Sequence, residues 1–275
     1  MPPAIEKRGP NETKSDSLQD LQSEPDHRAI SINKVGIRHL QMPIAVHDRG
    51  KETLNTVGTF DLYVDLPADV KGTHMSRFVE ILHAWSKPYS VESIESILRP
   101  IQDRLGSAAA YITLNFPFFL EKTAPVSKQP SLMNYQVKLS AQLIDDHTSL
   151  TLQVEIPVKT LCPCSKSISK YGAHNQRGLV IVQVRSTETI WIQEIIDIVE
   201  ASGSSELYAL LKRPDEKYVT ESAYENPVFV EDLVRNVVSR LNSDDRISWF
   251  QVEAENHESI HNHNAYALIS KNQGN

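Results

Sequence analysis

Both cysteines of the chain fall in one short segment, Leu161-Cys162-Pro163-Cys164-Ser165-Lys166, and His174 follows twelve residues after the first thiol. Thiolate sulfur and imidazole nitrogen together suit Zn or Fe(II), so Cys162 and His174 read as candidate metal ligands. A Cys-x-Cys spacing is a weak metal signature by itself, because the common zinc pattern separates its thiols by two or more residues. One thiol would ligate while the other packs or moves protons. The plainer alternative is a pair of small buried hydrophobes, which suits an isolated cysteine better than a Pro-Cys-Ser-Lys loop after a strand. Gly172 permits a tight turn ahead of His174, whose plainer role is a surface histidine in a polar loop.

A second constellation is His257-Glu258-Ser259-Ile260-His261-Asn262-His263. Three imidazoles and a carboxylate can supply ligands and general acid–base groups together, although a polar solvent-facing hairpin has the same composition. On a strand or turn, His261 and His263 would point to one side. Between the two clusters lie Glu206, Glu216, Glu221, Glu225 and Glu231. Glu231 belongs to the first turn of a helix expected after Asn226-Pro227, with Arg235 one turn later. There it could complement the helix dipole or accept paired N–H donors from a guanine edge.

From Glu155 to Glu188 no acidic residue intervenes, yet Lys159, Lys166, Lys170, Arg177 and Arg185 do. This basic stretch stands in a chain of net charge −7, which argues against a general nucleic-acid binder and for a local anion site. No apolar run reaches membrane-span length, and no basic-then-apolar leader pattern opens the sequence. Two thiols one residue apart exclude a disulfide framework and point to a reducing, cytoplasmic setting.

The elements that must position these groups follow from apolar periodicity. Residues 1–28 are polar and without periodicity, and read as a mobile arm. Strands are expected at 57–66, 108–120, 135–144, 149–160, 179–187, 246–255 and 265–270. Helices are expected at 77–85, 91–105 with Ser90 as N-cap, 191–201 and 228–241. The order strands, two helices, strands occurs twice, so the fold class reads as α+β with an internal duplication: a first unit at 29–145 and a second at 146–275. Exposed sheet edges in such units can close into a barrel through oligomerisation.

The motifs Leu-Cys-Pro-Cys-Ser-Lys, Tyr-Gly-Ala-His-Asn-Gln-Arg, Ser-Ser-Glu-Leu-Tyr-Ala-Leu-Leu-Lys-Arg-Pro-Asp-Glu-Lys-Tyr-Val-Thr-Glu and Asn-Pro-Xaa-Phe-Val-Glu-Asp resemble those of the type IB GTP cyclohydrolases. Ile32-Asn33-Lys34-Val35-Gly36-Ile37 is similar to that family as well. The resemblance covers nearly everything after the arm. It implies a tunnelling fold (T-fold) of two tandem units, assembled into barrels in a homo-oligomer, a tetramer by expectation, with sites at subunit interfaces. It implies conversion of GTP to 7,8-dihydroneopterin triphosphate with release of formate, toward folate-type pterins. It places metal ligands on Cys162, His174 and Glu216, the guanine-anchoring carboxylate on Glu231, and the acid–base segment on Glu258, His261 and His263.

The implied chemistry agrees with the residues. A divalent ion (Zn, Fe(II) or Mn(II)) with three protein ligands keeps an open position and acidifies a bound water, and no organic cofactor is expected. Cys164, His261 and His263 are candidates to shuttle protons. Lys166, Lys170, Arg177 and Arg185 could neutralise the triphosphate, with Arg235 beside the purine anchor. Two rivals stand beside this reading. One keeps the fold and uses Cys162 as a covalent nucleophile on a purine; the other is a non-catalytic module stapled by a metal. Neither nucleic acid nor membrane is an expected partner.

Overall fold

Apolar side chains at every second position drive the chain into one eight-stranded antiparallel sheet whose order follows the sequence. A computed structural model describes residues 20–50 and 52–271. The strands are β1 (Ile32–Val46), β2 (Leu54–Leu66), β3 (Ala109–Thr123), β4 (Pro130–Ile144), β5 (His147–Leu161), β6 (Asn175–Ser186), β7 (Ile247–Asn256) and β8 (Ala265–Ser270). Six α-helices occur among the described residues. Two of them, α1 (Met75–Ala84) and α2 (Leu98–Leu105), intervene between β2 and β3. The short α3 (Pro163–Ile168) links β5 to β6, and α4 (Ile192–Glu200), α5 (Arg213–Glu225) and α6 (Val230–Asn242) link β6 to β7.

Helices α1 and α2 pack against strands of the β1–β4 half, and α4 and α6 against strands of the β5–β8 half. Phe60, Leu62, Ile112 and Leu139 join Phe78, Leu82 and Ile101 in the core, and Val154, Val182 and Val252 join Ile195, Val199 and Val237 in the same contiguous cluster. The sheet runs unbroken across the middle, with Ile144 opposite His147 at a hairpin turned by Asp145 and Asp146. Both turn residues have positive φ, 48° and 62°, the backbone twist that two-residue hairpins need and that aspartate tolerates. No helix among the described residues is long and apolar enough to cross a membrane.

Several elements depart from expectation. The helix expected at 91–105 begins only at Leu98, after a turn and a 3-10 segment at Ile94–Ile97. Ser90 and Ser93 cause this, because their hydroxyls bond each other's backbone amides and compete with the helical pattern. Asn226 caps the end of α5 rather than opening α6, and its side chain donates to the Gly203 carbonyl. Helix α6 starts at Val230, where Asp232 accepts from the Phe229 amide. Helix α5 gave no apolar stripe to find, since Val219 and Ala223 are its only buried apolar residues. Strand β1 lies at the sheet edge and is broken by register shifts, one beside His39 at φ 58°, so it shows no clean alternation. Gly36 within it is required by contact: a Cβ there would overlap the Leu62 carbonyl.

Of the segment expected as a mobile arm, residues 1–19 lie outside the described residues. The remainder is tied down: Asp26, Lys71 and Gly72 make backbone bonds to Asp69, Glu24 and Gln22 respectively.

Two buried polar groups join distant parts of the chain. Lys122 places its ammonium 2.7 Å from both Glu200 and Glu206, and 4.6 Å from the Tyr208 ring centre. Tyr135 donates to the other Glu200 oxygen at 2.7 Å. Burial pushes Glu200 above the ordinary glutamate range, and the bonds from Lys122 and Tyr135 pull it back. Asp215 has no exposed surface and accepts from the amides of Val126, Ser127 and Lys212 and from the Ser127 hydroxyl. It thereby pins the first turn of α5 to the β3–β4 loop.

The Asp215 bonds outweigh its burial and hold its pKa below the ordinary value. A depressed carboxylate contributes stability that is present above the unfolded pKa and lost as pH falls through the folded one. Asp215→Asn is therefore expected to be less stable than the parent in urea by a constant margin from pH 7 to about 5. The margin should narrow only below about 3.9. A margin already gone at pH 5 would refute this account.

Candidate active site

The end of β5 and the start of β6 bring the thiol and the imidazole together. Cys162 is the N-cap of α3, with Pro163 in the first turn, and its sulfur accepts from the Ser165 amide at 3.4 Å. Its own amide donates to the His174 carbonyl at 3.1 Å, while the Ser165 hydroxyl accepts from the His174 amide at 3.1 Å. The turn back is made through Gly172 at φ 135°, a conformation costly for any residue with a Cβ.

A cavity of about 270 Å³ opens beside this pair and is lined by Cys162, His174, Gln176, Glu231, Glu258, His261 and His263, with Asn256 at its base. His174 Nδ1 lies 3.0 Å from Gln176 Oε1. An amide oxygen only accepts, so in this contact His174 donates through Nδ1. Gln176 in turn donates to Thr160 Oγ1 at 3.1 Å and to Glu258 Oε1 at 3.4 Å. The second Glu258 oxygen is 3.7 Å from His174 Nδ1 and buried without a hydrogen-bond partner, as is Asn256 Oδ1. Two acceptors without a donor among the described residues are met by water, a cation or donors on a bound molecule. By residue type the Cys162 sulfur and the His174 imidazole suit a divalent transition metal, and the two line the cavity together.

His261 and His263, in the loop between β7 and β8, stack with ring centres 5.1 Å apart at the cavity's solvent side. They share one side, as their spacing predicted. Glu231 reaches the cavity from the first turn of α6.

Other expected residues stand elsewhere. Glu216 is exposed on α5 and does not line the cavity. Among the described residues, no three His, Cys, Asp or Glu side chains are placed to hold a metal ion together. Cys164 is exposed on α3 and Lys166 is held over the Tyr224 ring at 4.5 Å. Arg177 follows the inward Gln176 and so points to the opposite sheet face. Arg235 pairs with Asp232 at 3.7 Å, and Lys170 lies against the Tyr171 ring. Arg185 is eight residues along β6 from Arg177, about 26 Å away at a strand's rise. Gln176, Asn256 and Thr160 were missed. Gln176 lies at the start of β6, two residues after His174 and outside the strand expected at 179–187, so nothing local marked it.

A family model described as type I GTP cyclohydrolase folE2 matches residues 18–267 of the chain. The chain is 53% identical to GTP cyclohydrolase FolE2 of Nitrosococcus oceani over 254 residues, covering 92% of this chain and 95% of that one. It is 52% identical to GTP cyclohydrolase FolE2 of Geobacter sp. strain M21, covering 94% and 97%. Among solved structures, a highly active mutant urate oxidase from Bacillus sp. TB-90 superposes with a TM-score of 0.52 at 7% identity, covering 88% of this chain and all of that one. At that identity the likeness is one of fold.

Proposed function

The chain belongs to the type I GTP cyclohydrolase folE2 family, and we propose that the cavity beside Cys162 is where it hydrolyses GTP. The chain is an enzyme, a GTP cyclohydrolase of folate biosynthesis. The observation that carries the site is convergence: Cys162, His174, Glu231, Glu258, His261 and His263, from three separate stretches of sequence, line one cavity.

In this reading Glu231 accepts two N–H bonds from the guanine edge and turns the imidazole portion of the purine toward Cys162 and His174. Those two residues would hold a divalent ion (Zn, Fe(II) or Mn(II)), which would supply Lewis acidity and lower the pKa of a water for hydrolysis at C8. Glu216 is the third ligand if assembly or metal binding draws α5 toward the cavity. Gln176 fixes the His174 tautomer so that Nε2 faces the ion. The free Glu258 oxygen accepts a proton or a donor from the opening ring, and the solvent-side pair His261 and His263 exchanges protons as formate leaves and the pterin ring closes. Cys164 would assist as a proton carrier, while Lys166 and Arg235 would need to turn from Tyr224 and Asp232, and Arg177 to come from the opposite sheet face or a neighbouring subunit, to meet the triphosphate.

The finer assignment is part of the same proposal: a type IB enzyme with two tunnelling-fold units, 29–145 and 146–275, joined edge to edge into barrels in a cytoplasmic homotetramer. Supporting it are the outermost strands β1 and β8 at either end of the sheet and the urate oxidase-like fold.

Formate release from GTP by the purified protein, before and after chelation and with Zn, Fe(II) or Mn(II) added back, tests the reaction and the ion together. Metal-restored formate with a fluorescent pterin supports the proposal; formate undiminished by exhaustive chelation sinks the metal. Glu231→Ala is expected to raise the KM for GTP by about 10- to 100-fold, the worth of a charge-assisted hydrogen-bonded pair. Metal content should stay at the parent level.

A further inference from the structure

Lys34, in the Ile-Asn-Lys-Val-Gly-Ile motif, and Arg185, at the far end of β6, play no part in the cavity described above, yet they meet in a recess of their own. It has a volume of about 180 Å³ and lies on the sheet face opposite the helices, where Tyr63, Tyr111 and Thr113 alternate with buried neighbours. Among the described residues no carboxylate lines it, in a chain carrying 35 acidic against 28 basic side chains.

Both cations are held by neutral groups. The Lys34 ammonium sits 4.1 Å from the Tyr111 ring centre and 5.9 Å from that of Tyr63. The Arg185 guanidinium lies 4.9 Å from the Trp249 ring and donates through Nε to the Thr151 hydroxyl at 3.0 Å. Ring faces and a hydroxyl fix the position of a cation without cancelling its charge. Asp65, two residues beyond Tyr63 on β2 and beside Lys34 in the β1–β2 register, accepts from the Ala109 amide at 2.6 Å; Asp61, opposite Thr113 in the β2–β3 register, is the other carboxylate beside Tyr63. It is engaged by the His39 amide at 2.8 Å and approached by Arg38 at 3.7 Å.

Two positioned cations over a hydroxyl-rich floor form an electrostatic well for an anion with several acceptor oxygens. We propose that this recess binds a small tetrahedral oxyanion, inorganic phosphate or pyrophosphate. Arg185 thus serves an anion remote from Cys162, in place of the GTP triphosphate suggested by its position in the acid-free stretch.

Isothermal titration of the full-length protein with phosphate and with pyrophosphate, in a buffer free of other oxyanions, tests this directly. Saturable binding is expected, weakened at least tenfold by Lys34→Gln and by Arg185→Gln, and unchanged by Cys162→Ser. Lys34 is exposed, so its substitution leaves the core intact, and thermal unfolding of each variant checks that. Absence of saturable binding, or binding indifferent to both substitutions, overturns the proposal. Binding lost in Cys162→Ser also overturns it, by moving the anion to the catalytic cavity. The readout is binding alone, so it stands apart from the outcome of the formate assay.

Discussion

Cys162→Ala and His174→Ala are each expected to abolish formate release from GTP and to leave the purified protein unable to retain the divalent ion proposed for the cavity. The two residues are bonded to one another through backbone and through Ser165, so the thiol and imidazole are presented as one unit. Losing a group that merely supports a ligand costs about 10- to 100-fold in metal affinity or activity. Losing a ligand itself should exceed that, because no neighbouring side chain replaces it: Cys164 is exposed on α3 and outside the cavity lining. Metal analysis of each variant, beside its formate rate, checks the result. Full activity in Cys162→Ala would end the site assignment, and lost activity with full metal content would favour Cys162 as a covalent nucleophile.

Lys122→Met should be the most destabilising single change outside the site. Lys122 and Glu200 are each more than nine-tenths buried, and removing the ammonium leaves a buried carboxylate without its counter-charge, with the Tyr135 hydroxyl as its remaining donor. Breaking such a pair costs about 3–5 kcal/mol. For a chain of this size that corresponds to a fall in Tm of roughly 6–20 °C. Burial raises the Glu200 pKa, so in the variant its charge is the liability. Protonation relieves it, and the variant should regain stability as pH falls through the folded Glu200 pKa toward the unfolded value of about 4.3. Adding Glu200→Gln should restore part of the loss. Denaturant unfolding at pH 7 and pH 5 tests both parts; a loss under about 1 kcal/mol would mean that Glu200 reaches water after all.

This network also shows why the link between the two halves of the chain was illegible in the sequence. Lys122 is one basic residue at the end of a strand, Glu200 one acidic residue at the end of a helix, and Glu206 one of several in a connecting segment. Nothing local distinguishes them from solvated charges. Their pairing exists because antiparallel neighbours and packed helices bring positions 78 and 84 residues apart to one point. Asp215 is the same case: a typical first-turn acidic residue by sequence, and a buried four-bond anchor in the fold.

The elements divide along a similar line. Strands β2 to β8 and helices α1, α4 and α6 were legible because burial of one face imposes a period on residue type. The edge strand β1 and helix α5 were not, because little of either is buried and no period was imposed. The start of α2 was lost to Ser90 and Ser93, whose hydroxyls offered the backbone a different set of partners.

What the sequence determined by itself was the chemistry available: a thiol, an imidazole and a basic stretch within a few dozen residues, a histidine-rich turn, and a helix opening with Glu231. Residue type and local spacing carry that information directly. Only the tertiary structure decided which groups meet, because contact depends on strand register and on which sheet face a side chain occupies. It set Gln176 between His174 and Glu258 and left two cavity oxygens without donors. It turned Arg177 to the opposite face, left Glu216 exposed on α5, and carried Arg185 the length of a strand to Lys34.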